Sequence, residues 1–237
     1  MYKKKTVSVI IPTYNEADSI RGVIDGLFAT GYVDEVIVVD NNALGNTREE
    51  VAKTKALLVV ETKQGYGHAL MRGLLESTGD LIIMTEADGT FQPEDIEKFL
   101  SYSNDFEAVI GTRTSRAAIY SGAFMPFPVR FGNWLWAKVI EVLFNGPSLS
   151  DVGCTYKLIN RKLLNGIKNF FPHSKGDGTF SPELLIWMLR HNKKIIEIPV
   201  IYKERVGKSG YTGSVWRAAK LGFKMLPMIV KYRFKNI

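Results

Sequence analysis

The chain predicts an α/β fold built on a mostly parallel sheet in a single domain, and three observations predict it. Short apolar runs alternate with stretches of amphipathic helical period, the pattern of strand–helix–strand units. The 237 residues suffice for one sizeable core, and no Gly/Ser linker, low-complexity tract or internal repeat divides them. Several apolar runs finish in polar chemistry, at Pro12, Asp40, Glu86 and Thr112. In an open α/β sheet, ligands gather beyond the carboxyl ends of the strands.

Val7 to Pro12 reads as a buried strand, and Asn15 to Ile20 as the entry to a helix with apolar positions Ile20, Val23, Ile24 and Leu27. Glu35 to Asp40 is a second strand ending in an acid, followed by a polar loop from Asn41 to Thr47. Ala56 to Glu61 makes a third short strand and Gly65 to Ser77 a helix. The run from Leu81 is read as a strand ending at Glu86, with Asp88 two residues on, and Pro93, Glu94 and Asp95 mark the start of a helix to about Tyr102. Phe106 to Thr112 is another strand, leading directly to Arg113, and Glu183 opens a helix running to Arg190. Near the C-terminus, Trp216, Ala219, Phe223, Leu226 and Val230 share one helical stripe beside Arg217, Lys220, Lys224 and Lys231. Such a helix either lies in an anionic headgroup layer or covers the sheet, and Pro227 is expected to kink it.

The composition, 46% hydrophobic and 23% charged, is that of a globular protein, and the net charge of +7 suits an anionic partner such as a nucleotide, a nucleic acid or a lipid surface. The basic residues are dispersed and no recognition motif appears, so nucleic acid is not expected. Cys154 is the only cysteine, which excludes an intrachain disulfide and favours a small buried residue in a reducing compartment. No export signal is visible in the basic N-terminus, and the longest uncharged run, Ala117 to Val129, is broken by Pro126 and Pro128 and is shorter than the roughly 18–20 residues that span a bilayer. The turn Thr13-Tyr14-Asn15-Glu16 lacks the glycines of a dinucleotide-binding loop, and no Walker-type phosphate loop is present.

Glu86 and Asp88 offer two hard oxygen ligands, which suit Mg2+ or Mn2+ if a phosphate supplies a third; as an alternative they form an acidic turn before a helix. Arg113 can present a fork to phosphate or lie in water. Lys63 to Ala69 places two glycines and a base near a helix start, where free N–H groups favour an anion, although helix packing explains it equally. The lone His68 reads as structural. The aromatic-rich segment Met125 to Lys138 suits either a membrane interface or an ordinary core.

Val9 to Glu16, Val36 to Asp40 and Gly79 to Gly89 together resemble a family-2 glycosyltransferase of the GT-A fold, a three-layer sandwich. Val109 to Arg113, Asp151 to Leu158 and Glu197 to Val200, with Arg205, Gly207, Lys208 and Ser209, resemble the polyprenyl-phosphate (dolichyl-phosphate) mannosyl- and glucosyltransferase branch. The resemblance covers roughly residues 6 to 210, so residues 1–210 are expected to form the catalytic domain and 211–237 a basic amphipathic helical segment. It implies that Pro12, Tyr14, Glu16 and Asp40 line the nucleoside pocket and that Glu86 and Asp88 hold a metal ion bridging the diphosphate of a UDP- or GDP-linked sugar. It also implies that Arg113, Arg205 and Lys208 contact phosphates, with Asp88, Asp151 and Arg113 catalytic. The implied acceptor is a polyprenyl phosphate, attacked with inversion, by a protein peripheral on the inner, cytoplasmic face of a membrane. A hydroxyl acceptor would need Asp151 or Glu183 as general base, whereas a phosphate acceptor is already ionised. The stretch Gly207 to Gly213 is a candidate to close over the site.

Two departures stand out. Glu86 replaces the usual Asp, one methylene shorter, and Thr90 stands where the lipid-phosphate mannosyltransferases often carry Gln. Asn41 also replaces a frequent second acid and is assigned no role. The alternatives are the same donor chemistry on a soluble or polymer hydroxyl, or a non-catalytic peripheral membrane protein with a degenerate site.

Overall fold

The computed structural model describes residues 1–207 and 214–234. Among these, one sheet of seven strands comprises β1 (Val7–Thr13), β2 (Glu35–Asp40), β3 (Leu57–Val60), β4 (Leu81–Met84), β5 (Ala108–Thr112), β6 (Lys157–Asn160) and β7 (Ile195–Pro199), in the order β3-β2-β1-β4-β6-β5-β7. β1 runs parallel to β2 and β4, and β2 to β3. β6 is antiparallel to both β4 and β5, while β5 and β7 are parallel. The helices are α1 (Ala17–Ala29), α2 (Thr47–Ala52), α3 (Tyr66–Glu76), α4 (Ile96–Tyr102), α5 (Phe127–Leu143), α6 (Arg161–Ile167), α7 (Phe180–Arg190) and α8 (Val215–Phe234).

β1 is buried along its whole length, which explains why its residues are apolar almost without alternation: helices cover both faces. The two-residue period sorts the side chains between two cores. Ile10, Ile37 and Ile82 meet Leu70 and Leu74 of α3 and Met188 of α7 on one face. Val9, Ile11, Val36 and Ile83 meet Ile20 and Ile24 of α1 and Phe99 of α4 on the other. Three layers result, as expected. The chain steps from β1 out to β3 on one side and returns to β4 on the other, so a crevice opens beyond the carboxyl ends of β1 and β4. Ser19 Oγ donates to Ala87 O at 2.7 Å, fastening the start of α1 to the loop after β4.

β4 stops at Met84, short of the expected end at Glu86, so both acids lie in the loop, and a 3₁₀ turn at Pro93–Asp95 precedes α4. Five elements carry no sequence expectation: the short polar helix α2, the helices α5 and α6, the antiparallel strand β6 and the strand β7. α8 differs more. It buries Gly222, Met225, Met228, Ile229 and Tyr232, and three of these side chains, with Tyr232, join the core of α3 and α7. The stripe formed by Trp216, Phe223, Leu226 and Val230 faces outward instead, with Trp216 87% exposed. α8 packs on α5 and α7 and runs through Pro227 as one helix. Among the described residues, no helix is long and apolar enough to cross a membrane.

The approach of α3 to the sheet depends on Gly73. A methyl group there would lie 3.0 Å from Val39 Cγ2 and closer still to Ile10 Cγ2. Overpacking of this kind costs about 1–3 kcal/mol and outweighs the ~1 kcal/mol helix gain of alanine. Gly73→Ala is therefore expected to lower stability by up to about 2 kcal/mol, measured by urea unfolding; an unchanged midpoint would show that the helix can shift freely.

Candidate active site

A cleft of about 1140 Å³ lies beyond the carboxyl ends of the strands. Pro12, Tyr14 and Glu16 line one part of it, Glu86, Arg113 and Thr155 another, and Met125 ahead of α5, Trp136 of α5 and Met225 of α8 contribute apolar wall.

The acidic loop after β4 is shaped by local hydrogen bonds. Gly89 has a φ of +76°, a conformation that favours glycine, and the chain turns there so that Thr90 can cap Asp88. Asp88 Oδ1 accepts from Thr90 N at 3.0 Å and Thr90 Oγ1 at 2.6 Å. Its Oδ2 lies 3.1 Å from Arg205 Nη2, and the same guanidinium sits 3.6 Å from Glu16 Oε1. Arg205 Nε is buried with no hydrogen-bond partner among the described residues.

Glu86 reaches the opposite wall. Its Oε1 accepts from Tyr66 Oη at 3.2 Å and Thr155 Oγ1 at 3.0 Å, and these two hydroxyls are 2.5 Å apart. Burial and the charge of Asp88 raise its carboxyl to about 7, against the pull of Arg113 and Arg205. Burial and the Glu86 charge also push the Tyr66 phenol well above its ordinary value, so it remains a donor. Among the described residues, no group of three or more His, Cys, Asp or Glu side chains can hold a metal ion. The oxygens of Glu86 and Asp88 are hard donors of the kind Mg2+ or Mn2+ prefers, and Arg205 already places positive charge against one of them. The pair therefore fits such an ion if a diphosphate completes its shell.

In the first part of the cleft, Glu16 folds back on its own turn, where Oε2 accepts from Thr13 Oγ1 at 2.8 Å, Tyr14 N at 2.7 Å and Asn15 N at 3.1 Å. Tyr14 is exposed beside it. Asp40 is not part of this wall. It is fully buried, one oxygen accepting from Ala43 N at 2.6 Å and the other paired with Arg48. Asn41 lines the cleft instead. Its Nδ2 donates to Glu61 O at 2.8 Å and Lys63 O at 2.9 Å, and its Oδ1 accepts from Gly65 N at 2.8 Å, tying the end of β2 to the start of α3. A carboxylate could not make the first two bonds, which gives the amide a physical reason.

Arg113 and Asp151 form a buried fork: Nε to Oδ2 at 2.8 Å and Nη2 to Oδ1 at 3.0 Å, with Arg113 N also donating to Oδ2 at 3.0 Å. Gly153 N adds a fourth bond at 3.0 Å. Burial would raise the Asp151 carboxyl, but the Arg113 charge and these hydrogen bonds outweigh it and hold the group below the usual carboxylate range. Asp151 is therefore an anchored anion and a poor proton acceptor. Arg113 reaches the cleft and lies 5.4 Å from the centre of the Tyr202 ring. Glu183 is buried away from the cleft, accepting from Ser174 Oγ and Thr179 Oγ1. Cys154 is buried, its thiol pushed up to about 12 by burial. Lys208, like most of the stretch from Gly207 to Gly213, lies outside the described residues. Asn41, Tyr66 and Thr155 carry no role in the sequence reading; the only signal available is their place at the strand ends or within the motifs.

The α/β sheet with an acidic loop at its crevice is that of a GT-A glycosyltransferase. The chain belongs to glycosyl transferase family 2, whose sequence model matches residues 8–167. It is 30% identical over 210 residues to a dolichyl-phosphate hexose transferase of Haloferax volcanii, covering 88% of this chain and 87% of the relative. It is 28% identical to an undecaprenyl-phosphate mannosyltransferase of Micrococcus luteus, covering 88% of each. A glucosyl-3-phosphoglycerate synthase from Mycobacterium tuberculosis, solved with Mn2+, UDP and phosphoglyceric acid, superposes with a TM-score of 0.74 over 99% of this chain and 80% of its own, at 17% identity, a likeness of fold alone.

A group with a raised pKa binds cations in competition with protons. With Glu86 near 7, nucleotide-dependent Mn2+ binding is expected to strengthen by about fivefold from pH ~6 to ~7 and by about tenfold by pH ~8, levelling off beyond it, read by calorimetry. Stability of the ligand-free protein moves the other way: the contribution of Glu86 is complete below its unfolded value of roughly 4.3 and is lost as pH rises through 7. Affinity that is flat across this range would show Glu86 already ionised at the lower pH.

Proposed function

We propose that this chain transfers a sugar from a nucleoside-diphosphate sugar to a polyprenyl phosphate, with inversion at the anomeric carbon and with Mg2+ or Mn2+ as cofactor. One observation carries the reading: the acidic loop, Arg113 and apolar residues of α5 and α8 line one continuous cleft. A phosphate on an isoprenoid chain matches that combination of acid, cation and apolar wall. A soluble hydroxyl acceptor would leave the apolar wall uncovered. The two relatives named above, a dolichyl-phosphate and an undecaprenyl-phosphate transferase, support the same acceptor class.

In this reading Pro12, Tyr14 and Glu16 receive the nucleoside, while Asp40 acts from behind the wall through Arg48 and the Ala43 turn. Glu86 and Asp88 would hold the metal. When bound, the ion supplies Lewis-acid neutralisation of the departing diphosphate. Arg205, now paired to Asp88 and Glu16, is placed to turn to a phosphate entering between them, and Lys208 is a second candidate for that contact. Arg113, held by Asp151, orients the acceptor phosphate so that its oxygen meets the anomeric carbon opposite the leaving group. An ionised phosphate needs no proton removed, which agrees with an Asp151 whose lone pairs are already taken.

The outward face of α5 and α8 supports attachment to a membrane surface. Phe127, Phe131 and Trp134 on α5 and Trp216, Phe223 and Leu226 on α8 are exposed, alongside exposed Lys220, Lys224 and Lys231. We place this face on the inner, cytoplasmic leaflet, where anionic headgroups attract the lysines.

Incubation of the protein, Mn2+ and polyprenyl phosphate with radiolabelled UDP- and GDP-sugars is expected to move label into the organic phase for one nucleotide class. Label that stays in water with every donor defeats the lipid acceptor. Sedimentation with vesicles containing anionic phosphatidylglycerol tests the surface. Since burying a large apolar side chain is worth about 1.5–3 kcal/mol, Trp216→Ser with Phe223→Ser is expected to weaken binding at least tenfold while leaving the fold intact.

A further inference from the structure

The Glu86 side chain is long enough to cross to the opposite wall of the cleft, and the structure shows what it meets there. Tyr66 comes from the first turn of α3, and Thr155 from the segment before β6. They approach the acidic loop from separate elements, and their hydroxyls form a triangle with Glu86 Oε1 whose sides are 2.5, 3.0 and 3.2 Å. With Glu86 ionised the triangle holds two protons. Either both hydroxyls donate to Oε1, or one donates to it and the other completes a chain. In each arrangement Oε1 is engaged by protein hydroxyls, and Oε2 is left out of the triangle.

We propose that Tyr66 and Thr155 are positioning residues that pin one oxygen of Glu86, so that the carboxylate offers a single oxygen to a cation at Asp88. The inference deepens the metal-dependent reading above and rests on it. An aspartate at this position, one methylene shorter, would stop short of both hydroxyls. The clamp therefore belongs to glutamate, and its loss has a cost only where glutamate is present. A hydroxyl pair that served packing alone would cost the same with either acid.

That difference is read by a double-mutant cycle. Mn2+ is titrated into the full chain saturated with UDP, and separately with GDP, and followed by electron paramagnetic resonance of the free ion, with thermal unfolding of each variant as a check on folding. Tyr66→Phe is expected to weaken Mn2+ binding about tenfold, which corresponds to ~1.4 kcal/mol and matches a hydrogen bond to a charged group. In the Glu86→Asp background the same substitution is expected to change affinity less than about twofold. Thr155→Val should repeat the pattern, and Thr155→Ser, which keeps the hydroxyl, should bind as the unaltered chain does. Equal losses in the two backgrounds, or no loss in either, would overturn the clamp while leaving the site reading in place. If the unaltered protein binds no Mn2+ with either nucleotide, the reading of the site fails and the clamp fails with it.

Discussion

Negative charge removed from water has to be met by positive charge or by hydrogen bonds, and around this cleft that requirement decides which acids can act. Asp40 is matched by Arg48 and a backbone N–H, and Asp151 by the Arg113 fork and Gly153. Glu16 is matched by its own turn. Asp40 and Asp151 are satisfied from within the protein and spend their charge on architecture, as does one oxygen of Glu16, whose other oxygen stands near Arg205. Glu86 and Asp88 are different: they lie close together, their mutual repulsion is only partly offset by Arg113 and Arg205, and burial makes that repulsion expensive. A site with surplus negative charge of this sort is disposed to bind a cation from outside.

The same requirement links the site to the fold. β1 and β4 bring the loops together, and the Ser19–Ala87 bond keeps them there. Arg113 follows β5 directly, and β5 is positioned by β6, the strand whose reversed direction lets the chain between α5 and α6 return through the sheet. Asp151 is delivered just before β6, so the Arg113–Asp151 pair joins the two parts of the sheet at the cleft.

Most strands were readable in the sequence because the central ones are covered on both faces and must be apolar; the bounds of β2 match in full. β6 escaped because four residues carry little periodicity and one of them is a buried lysine, Lys157. α2 escaped because a six-residue polar helix resembles a loop in composition. In α8 apolar residues occupy two faces, and hydrophobicity alone does not say which one packs. Gly222 settles it in the structure, since its lack of a side chain admits the Trp136 ring. At the site, the acids and cations were all visible as residues, but their partners were not. Asp151 is paired with a residue 38 positions away, and nothing in the sequence says that Asp40 turns inward to Arg48.

α8 has two sides with different obligations. Met225, Met228, Ile229 and Tyr232 complete the interior beside α3 and α7, while Trp216 and Phe223 stand outside it. Shortening the chain ahead of Val215 to obtain a more tractable enzyme would thus strip the cover from a greasy interior and leave the shortened product prone to clump. Trimming only the outward aromatics is the rational way to make this protein easier to handle.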